Sequence, residues 1–201
     1  NGKVEYALEG SVFIGGAVGQ WLRDELKLIS SAAESEVVAS QVPDSGGVCL
    51  VPAFVGLGAP YWDMEARGVI TGLTRGSGRA HIVRAALESI SFQSTEVLES
   101  MRNDVNHSIP SLKVDGGASK NNLLMQHQSD ALGIPVIRGQ VIETTALGAA
   151  YLAGLAVGIW NSTDDLRSTW KLDREFAPQW NDSKRGEALL LWKTAVKRAI
   201  S

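Results

Sequence analysis

Leu112-Lys113-Val114-Asp115-Gly116-Gly117-Ala118-Ser119-Lys120-Asn121-Asn122 runs from a strand through a turn into the start of a helix. Leu112 to Asp115 reads as a short strand ending in an acid. Two glycines then let the backbone come close to a ligand, and helix signals begin at once, with Ser119 as the expected N-cap and Gly133 closing the helix after Leu132. Further on, Ile134 to Ile137 reads as a second strand entered through Pro135, and Thr144 or Thr145 caps an Ala-rich helix. This strand-helix-strand-helix alternation predicts an α/β domain with at least part of its sheet parallel. Ligands in such sheets favour the carboxyl ends of strands, where a helix start aims free N–H groups outward. Taken alone, Asp-Gly-Gly fits either a tight strand-to-helix turn or a nucleotide contact.

Towards the N-terminus, Ile14, Val18, Leu22 and Leu26 recur every four residues, predicting an amphipathic helix from Gly10 to about Ser30. It contains Gly15-Gly16-Ala17-Val18-Gly19-Gln20, and a glycine in a helix interior costs about 1 kcal/mol relative to alanine. Close helix packing would explain the glycines. So would a flat base or ribose against the helix, with Gln20 as a hydrogen-bonding arm. Ser31 to Gly47 reads as a polar connector, Val48 to Phe54 as a fully buried strand, Val55 to Asp63 as a Gly/Pro-rich loop and Val69 to Leu73 as a strand. Arg79 to about Met101 reads as a helix burying Val83, Ala86, Ile90 and Val97, and Glu187 to Ile200 as another. At the start, Val4, Tyr6 and Leu8 alternate at the period of a strand, behind the hairpin-turn signal Asn1-Gly2. That turn, and the lack of an initiator methionine, lead us to expect opening strands that precede Asn1.

The 201 residues are 44% hydrophobic and 20% charged, an ordinary globular composition that allows one substantial core. Nineteen Lys and Arg against 22 Asp and Glu give a net charge of −3, so there is no basic footprint for nucleic acid or an anionic membrane. The single cysteine, Cys49, lies in an apolar run and reads as a small hydrophobe in a reducing cytoplasm. The apolar segment Ala146 to Trp160 falls short of the roughly 20 residues that span a bilayer. With Gly154 and Gly158 it reads as a buried helix packed closely against a sheet. His81, His107 and His127 have no metal-ligand spacing, no Gly-x-Ser-x-Gly elbow occurs, and Gly-Lys-Ser/Thr is absent. A nucleotide would need an architecture other than a P-loop.

Five stretches together resemble the C-terminal half of the glycerol kinases, a branch of the carbohydrate-kinase family named for a Phe-Gly-Gly-Tyr motif. They are Ala7-Leu8-Glu9-Gly10 through Gln20-Trp21-Leu22-Arg23-Asp24; Val51 to Phe54 with Gly56-Leu57-Gly58-Ala59-Pro60-Tyr61-Trp62-Asp63; Arg67-Gly68 with Gly72-Leu73-Thr74-Arg75-Gly76; Val114 to Ala118; and Thr145 to Gly154. A second family signature runs Gly68, Ile70, Gly72, Leu73, His81-Ile82 and Ala85-Ala86-Leu87-Glu88. The likeness covers roughly residues 4 to 178. It implies a ribonuclease H-like (actin-like ATPase) lobe, a mixed sheet flanked by helices and lacking its first strands, with ATP in a cleft between two lobes.

The resemblance assigns Gly16, Gln20, Gly117 and Asn121 to ATP, and implies Mg²⁺ and ADP as further ligands. It implies phosphorylation of glycerol to sn-glycerol 3-phosphate and a homo-oligomeric state when intact. It also implies that the catalytic and glycerol-binding residues precede Asn1, so these residues alone would be inactive. The expected division is a lobe over residues 1–178 and a tail with a helix over 179–201. Two alternatives stay open at this point: another sugar kinase of the family, and a non-catalytic half that binds nucleotide or a partner.

Overall fold

A computed structural model describes residues 4, 6–105 and 108–200. Strands β1 (Cys49–Val51) and β2 (Val69–Thr71) pair antiparallel, with Leu50 opposite Ile70. A second sheet has the order β3-β4-β5: β3 (Leu112–Val114) lies parallel to β4 (Val136–Gly139), and β5 (Leu172–Phe176) antiparallel to it. Helix α4 (Asn122–Leu132) makes the crossover from β3 to β4, so the expected βαβ unit is present. The other helices are α1 (Ala17–Asp24), α2 (Glu34–Ala39), the long α3 (Arg79–Val105), α5 (Thr144–Ala156), α6 (Thr163–Arg167) and α7 (Asp182–Ala199).

Both faces of β1 are buried, which explains its uninterrupted apolar run. Val48 and Leu50 face a core built with Val18 and Leu22 of α1, Val38 of α2, and Val83 and Ala86 of α3. Cys49 and Val51 face the other way, onto Phe92 of α3 and Trp192 and Val196 of α7. The Trp192 ring is fully buried and stacks on Phe92 with centroids 5.4 Å apart. Burial pushes the Cys49 thiol up to about 12, so it stays a protonated packing group. A third cluster, Leu124, Met125, Val136 and Phe176, seals α4 onto the second sheet.

Several expectations are corrected. No strand forms over residues 6–8; Tyr6 is 95% exposed, while Glu5 and the Asn1-Gly2 turn lie outside the described residues. Alternation marks which side chains share a face, but a strand also needs a neighbour's backbone ladder. The helix expected over Gly10 to Ser30 is only α1. Gly15 and Gly16 precede its first turn, and Lys27 ends it at φ +55°, with the Leu28 N–H closing back on the Leu22 carbonyl at 2.8 Å. The supposed connector holds α2, and β5 adds an unforeseen strand.

Ser119 does not cap α4. Its hydroxyl donates to the Gly116 carbonyl at 2.7 Å inside a short 3-10 turn, Gly117–Lys120, and the cap is Asn121. Finally, α5 is not buried. Only Gly154 is enclosed, against the Trp160 ring, and Leu152 is 71% exposed. No other described element lies over its outer face closely enough to bury it.

Candidate functional site

A cavity of about 580 Å³ opens between α1, α2, α3 and the turn that leads into α4. Gly16, Gln20, Gly117 and Asn121 all line it, although 101 positions separate Gly16 from Gly117 (117 − 16). The α1 wall includes Gly16, Gly19, Gln20 and Arg23, which share one face at helical spacing, with Val18 and Leu22 beside them. Facing it are Gly117, Ala118, Lys120 and Asn121, while Ala86, Leu87 and Ile90 of α3 supply an apolar floor.

The glycines of both clusters stand in open space. A Cβ built on Gly15, Gly16, Gly19 or Gly117 would meet no atom within 4 Å. Close packing within the chain therefore does not require them, and at Gly16, Gly19 and Gly117 the missing side chain leaves cavity space. Gly116 has a different reason for being glycine: its φ of +78° and ψ of +173° lie where L-residues are strained. Its N–H donates to the Ile142 carbonyl at 2.7 Å, fixing the turn.

The charges round the cavity are mixed, with Lys120 on one wall and the Glu36 carboxylate on another. Gly16, the N-cap of α1, and Asn121, the N-cap of α4, both line the cavity, but the Glu36 carboxylate already accepts the Asn122 N–H at 3.2 Å, so the α1 terminus is the one whose partial positive charge is left to a ligand. Lys120 adds a cation, whereas Arg23 is already paired with Asp24 at 2.7 Å. The Gln20 carboxamide has no hydrogen-bond partner among the described residues and remains available to a ligand. Asn121 is tied into the frame, its Oδ1 accepting the Leu124 N–H at 2.9 Å.

The α2 wall, with Ala32, Ala33, Ser35 and Glu36, was not foreseen. A signal was present in Ser31-Ala32-Ala33-Glu34, which has capping-box spacing. Ser31 Oγ accepts the Glu34 N–H at 3.2 Å, and the Glu34 carboxylate accepts the Ser30 N–H and hydroxyl at 2.5 and 2.6 Å. With Arg79 also donating, these bonds hold Glu34 down to about 2.

The described residues thus form an α/β domain with a mixed sheet and a cavity lined by two helix N-caps, and comparison with known proteins gives its class. The FGGY family of carbohydrate kinases, C-terminal domain, matches residues 1–157. The chain belongs to that family, with its ribonuclease H-like, actin-like fold. Among curated relatives, it is 62% identical over 200 residues to a protein named glycerol kinase from Caldanaerobacter subterraneus subsp. tengcongensis. It is 60% identical to glycerol kinase 2 of Thermotoga maritima. In both cases all of this chain is covered but only 40% of the relative, so the chain spans under half the length of the proteins it matches. The crystal structure of Plasmodium falciparum glycerol kinase with ADP superposes with a TM-score of 0.83 at 38% identity, over 92% of this chain and 37% of that one. A ligand-bound xylulose kinase from Lactobacillus acidophilus, 23% identical with a TM-score of 0.72, shares the fold.

Proposed function

We propose that these 201 residues are the nucleotide-binding part of a glycerol kinase, which moves the γ-phosphoryl group of ATP to a terminal hydroxyl of glycerol, giving sn-glycerol 3-phosphate and ADP. The observation that carries this reading is the convergence of two helix N-caps and of glycines facing open space on one cavity. Its volume lies within the roughly 300–1,000 Å³ of small-molecule sites. In this reading Gly16 and Gly117 let the ligand approach the backbone, and Gln20 and Asn121 hydrogen-bond it. The glycerol kinase names of relatives near 60% identity favour glycerol over another sugar.

Phosphoryl transfer depends on positioning and charge neutralisation, and the share of this domain is positioning. Mg²⁺ would arrive on the nucleotide's phosphates and neutralise charge there. Among the described residues no group of three or more His, Cys, Asp or Glu side chains gathers to hold an ion by itself. The proton acceptor for the glycerol hydroxyl and the glycerol-binding groups are assigned to residues outside these 201, consistent with the greater length of the relatives. We take residues 1–178 as the lobe and 179–201 as a tail whose helix α7 buttresses β1 through Trp192. The intact enzyme is taken as a cytoplasmic homo-oligomer. No described helix is long and apolar enough to cross a membrane.

The test is glycerol-dependent ADP release by a kinase polypeptide carrying this domain, with xylulose as the competing acceptor. Turnover with xylulose and not glycerol would move the assignment to a sibling sugar kinase. The 201 residues alone are expected to bind ADP without transferring phosphate, and glycerol-dependent turnover from them would overturn the assignment of the catalytic groups.

A further inference from the structure

An asparagine carboxamide offers one acceptor oxygen and two N–H donors, and its bonding partners tell the two ends apart. At Asn121 the oxygen end is identified by the Leu124 N–H that it accepts at 2.9 Å, so the other end is the amide nitrogen. That nitrogen donates to Ser35 Oγ at 3.3 Å. The Ser35 hydroxyl proton is committed to the Ala32 carbonyl at 2.6 Å, so Oγ meets Asn121 as an acceptor. A reversed carboxamide would lose both partners. One amide N–H of Asn121 is left without a partner among the described residues, at a residue that lines the cavity.

The next residue along each segment repeats the docking. Glu36 accepts the Asn122 backbone N–H and its side-chain amide, both at 3.2 Å, and Arg138 donates to Asn122 Oδ1 at 3.1 Å. Two consecutive residues of α2 thus grip two consecutive residues at the start of α4, and Ser35 itself is buried. Its oxygen is therefore held at a fixed place relative to the cavity.

We propose that Ser35 is a positioning residue for the nucleotide, orienting the Asn121 carboxamide so that its remaining N–H is presented to the ligand. This rests on the reading of the cavity as the nucleotide site. Loss of the Ser35 hydroxyl leaves the α4 cap in place but releases the amide end, so the defect falls on nucleotide binding and not on acceptor binding or turnover.

The test is a double-mutant cycle in the full kinase polypeptide, reading KM for ATP, KM for glycerol, kcat and Tm. Ser35→Ala is expected to raise KM for ATP about three- to tenfold, the worth of one ordinary hydrogen bond, with kcat and KM for glycerol changed by less than about twofold. Asn121→Ser removes the carboxamide while keeping a good N-cap, and should also raise KM for ATP. In that background Ser35→Ala should add nothing, because there is no carboxamide left to orient. If Asn121→Ser leaves KM for ATP unchanged, the cavity reading fails. If Asn121→Ser weakens ATP but Ser35→Ala does not, or if Ser35→Ala adds its full factor in the Asn121→Ser background, the positioning role fails. Ser35→Cys, close in size with a weakly accepting sulfur, supplies the same comparison should the alanine variant not fold.

Discussion

Gly117→Val separates a glycine kept for a ligand from one kept for the fold. At Gly117 a Cβ meets nothing within 4 Å, and the backbone is outside the left-handed region. The branched side chain should therefore change folding stability by no more than about 0.5 kcal/mol, with a small gain possible from a less flexible unfolded chain. In the cavity the two added methyl groups compete with the nucleotide. Forcing extra carbons into a filled site costs about 1–3 kcal/mol, which is roughly a 5- to 150-fold rise in KM for ATP. KM for glycerol should hold. The neighbouring Gly116→Ala is the control: it has to adopt φ +78° and should lose about 1–3 kcal/mol of stability. Steady-state kinetics in both substrates, ADP titration by calorimetry and a thermal melt of each variant give the full comparison. An unchanged KM for ATP in Gly117→Val, beside an unchanged melt, would refute the claim that the nucleotide approaches this backbone.

Three further outcomes probe the frame. Gly72→Ala should be among the most damaging small substitutions, because its Cβ would run into the Gly47 carbonyl at a φ of +75°; a loss of more than about 3 kcal/mol in a denaturant melt is expected, and a wild-type midpoint would contradict the packing. Trp192→Ala should cost about 3–5 kcal/mol, since the ring is fully buried between β1 and α3; a change under about 1 kcal/mol would show that α7 is an appendage. His127 is enclosed by Phe92 and Trp180, with Ser91 on Nδ1, and burial holds its imidazole down to about 3, helped by Arg84 and Lys184. Its folded value is depressed, so its contribution is complete above about pH 6.5 and is lost as the pH falls towards 3, at up to about 1.4 kcal/mol per pH unit. Burial raises Glu88, which works in the opposite sense above its ordinary value. The difference between wild type and His127→Gln between pH 6.5 and 5 isolates the imidazole, and identical slopes would refute the assignment.

Local chemistry made parts of this fold readable. The β3–α4–β4 unit followed from a strand, a glycine turn, a helical stop at Gly133, with φ +69°, and a second strand. Both-sided burial of β1 followed from its unbroken apolar run. What could not be read was partnership. Val4, Tyr6 and Leu8 alternate like a strand, yet no ladder is offered to them among the described residues. In the same way the apolar composition of α5 was a sound indicator of helix, but composition does not name the surface that would cover it. Ser119 illustrates competition between neighbours: it, Asn121 and Asn122 can all cap, and the choice is made by a 3-10 turn that moves the first α-helical residue to Asn122.

The cleft shows how far spacing carries. Each glycine cluster alone had two readings, and nothing in either cluster chose between them. Family resemblance joined the two into one pocket, and the structure brings both clusters to one cavity with open space at the missing Cβ of Gly16 and Gly117, which leaves room for a ligand. The α2 wall escaped notice because its helix is short and the residues it turns to α4 are polar, Ser35 and Glu36 serving the start of α4 while Val38 and Ala39 join the core. Residues of that kind carry no hydrophobic period, and their role exists only once a segment 86 positions away has folded against them. A site built from such contacts is legible as chemistry at each end and as geometry only in the assembled chain.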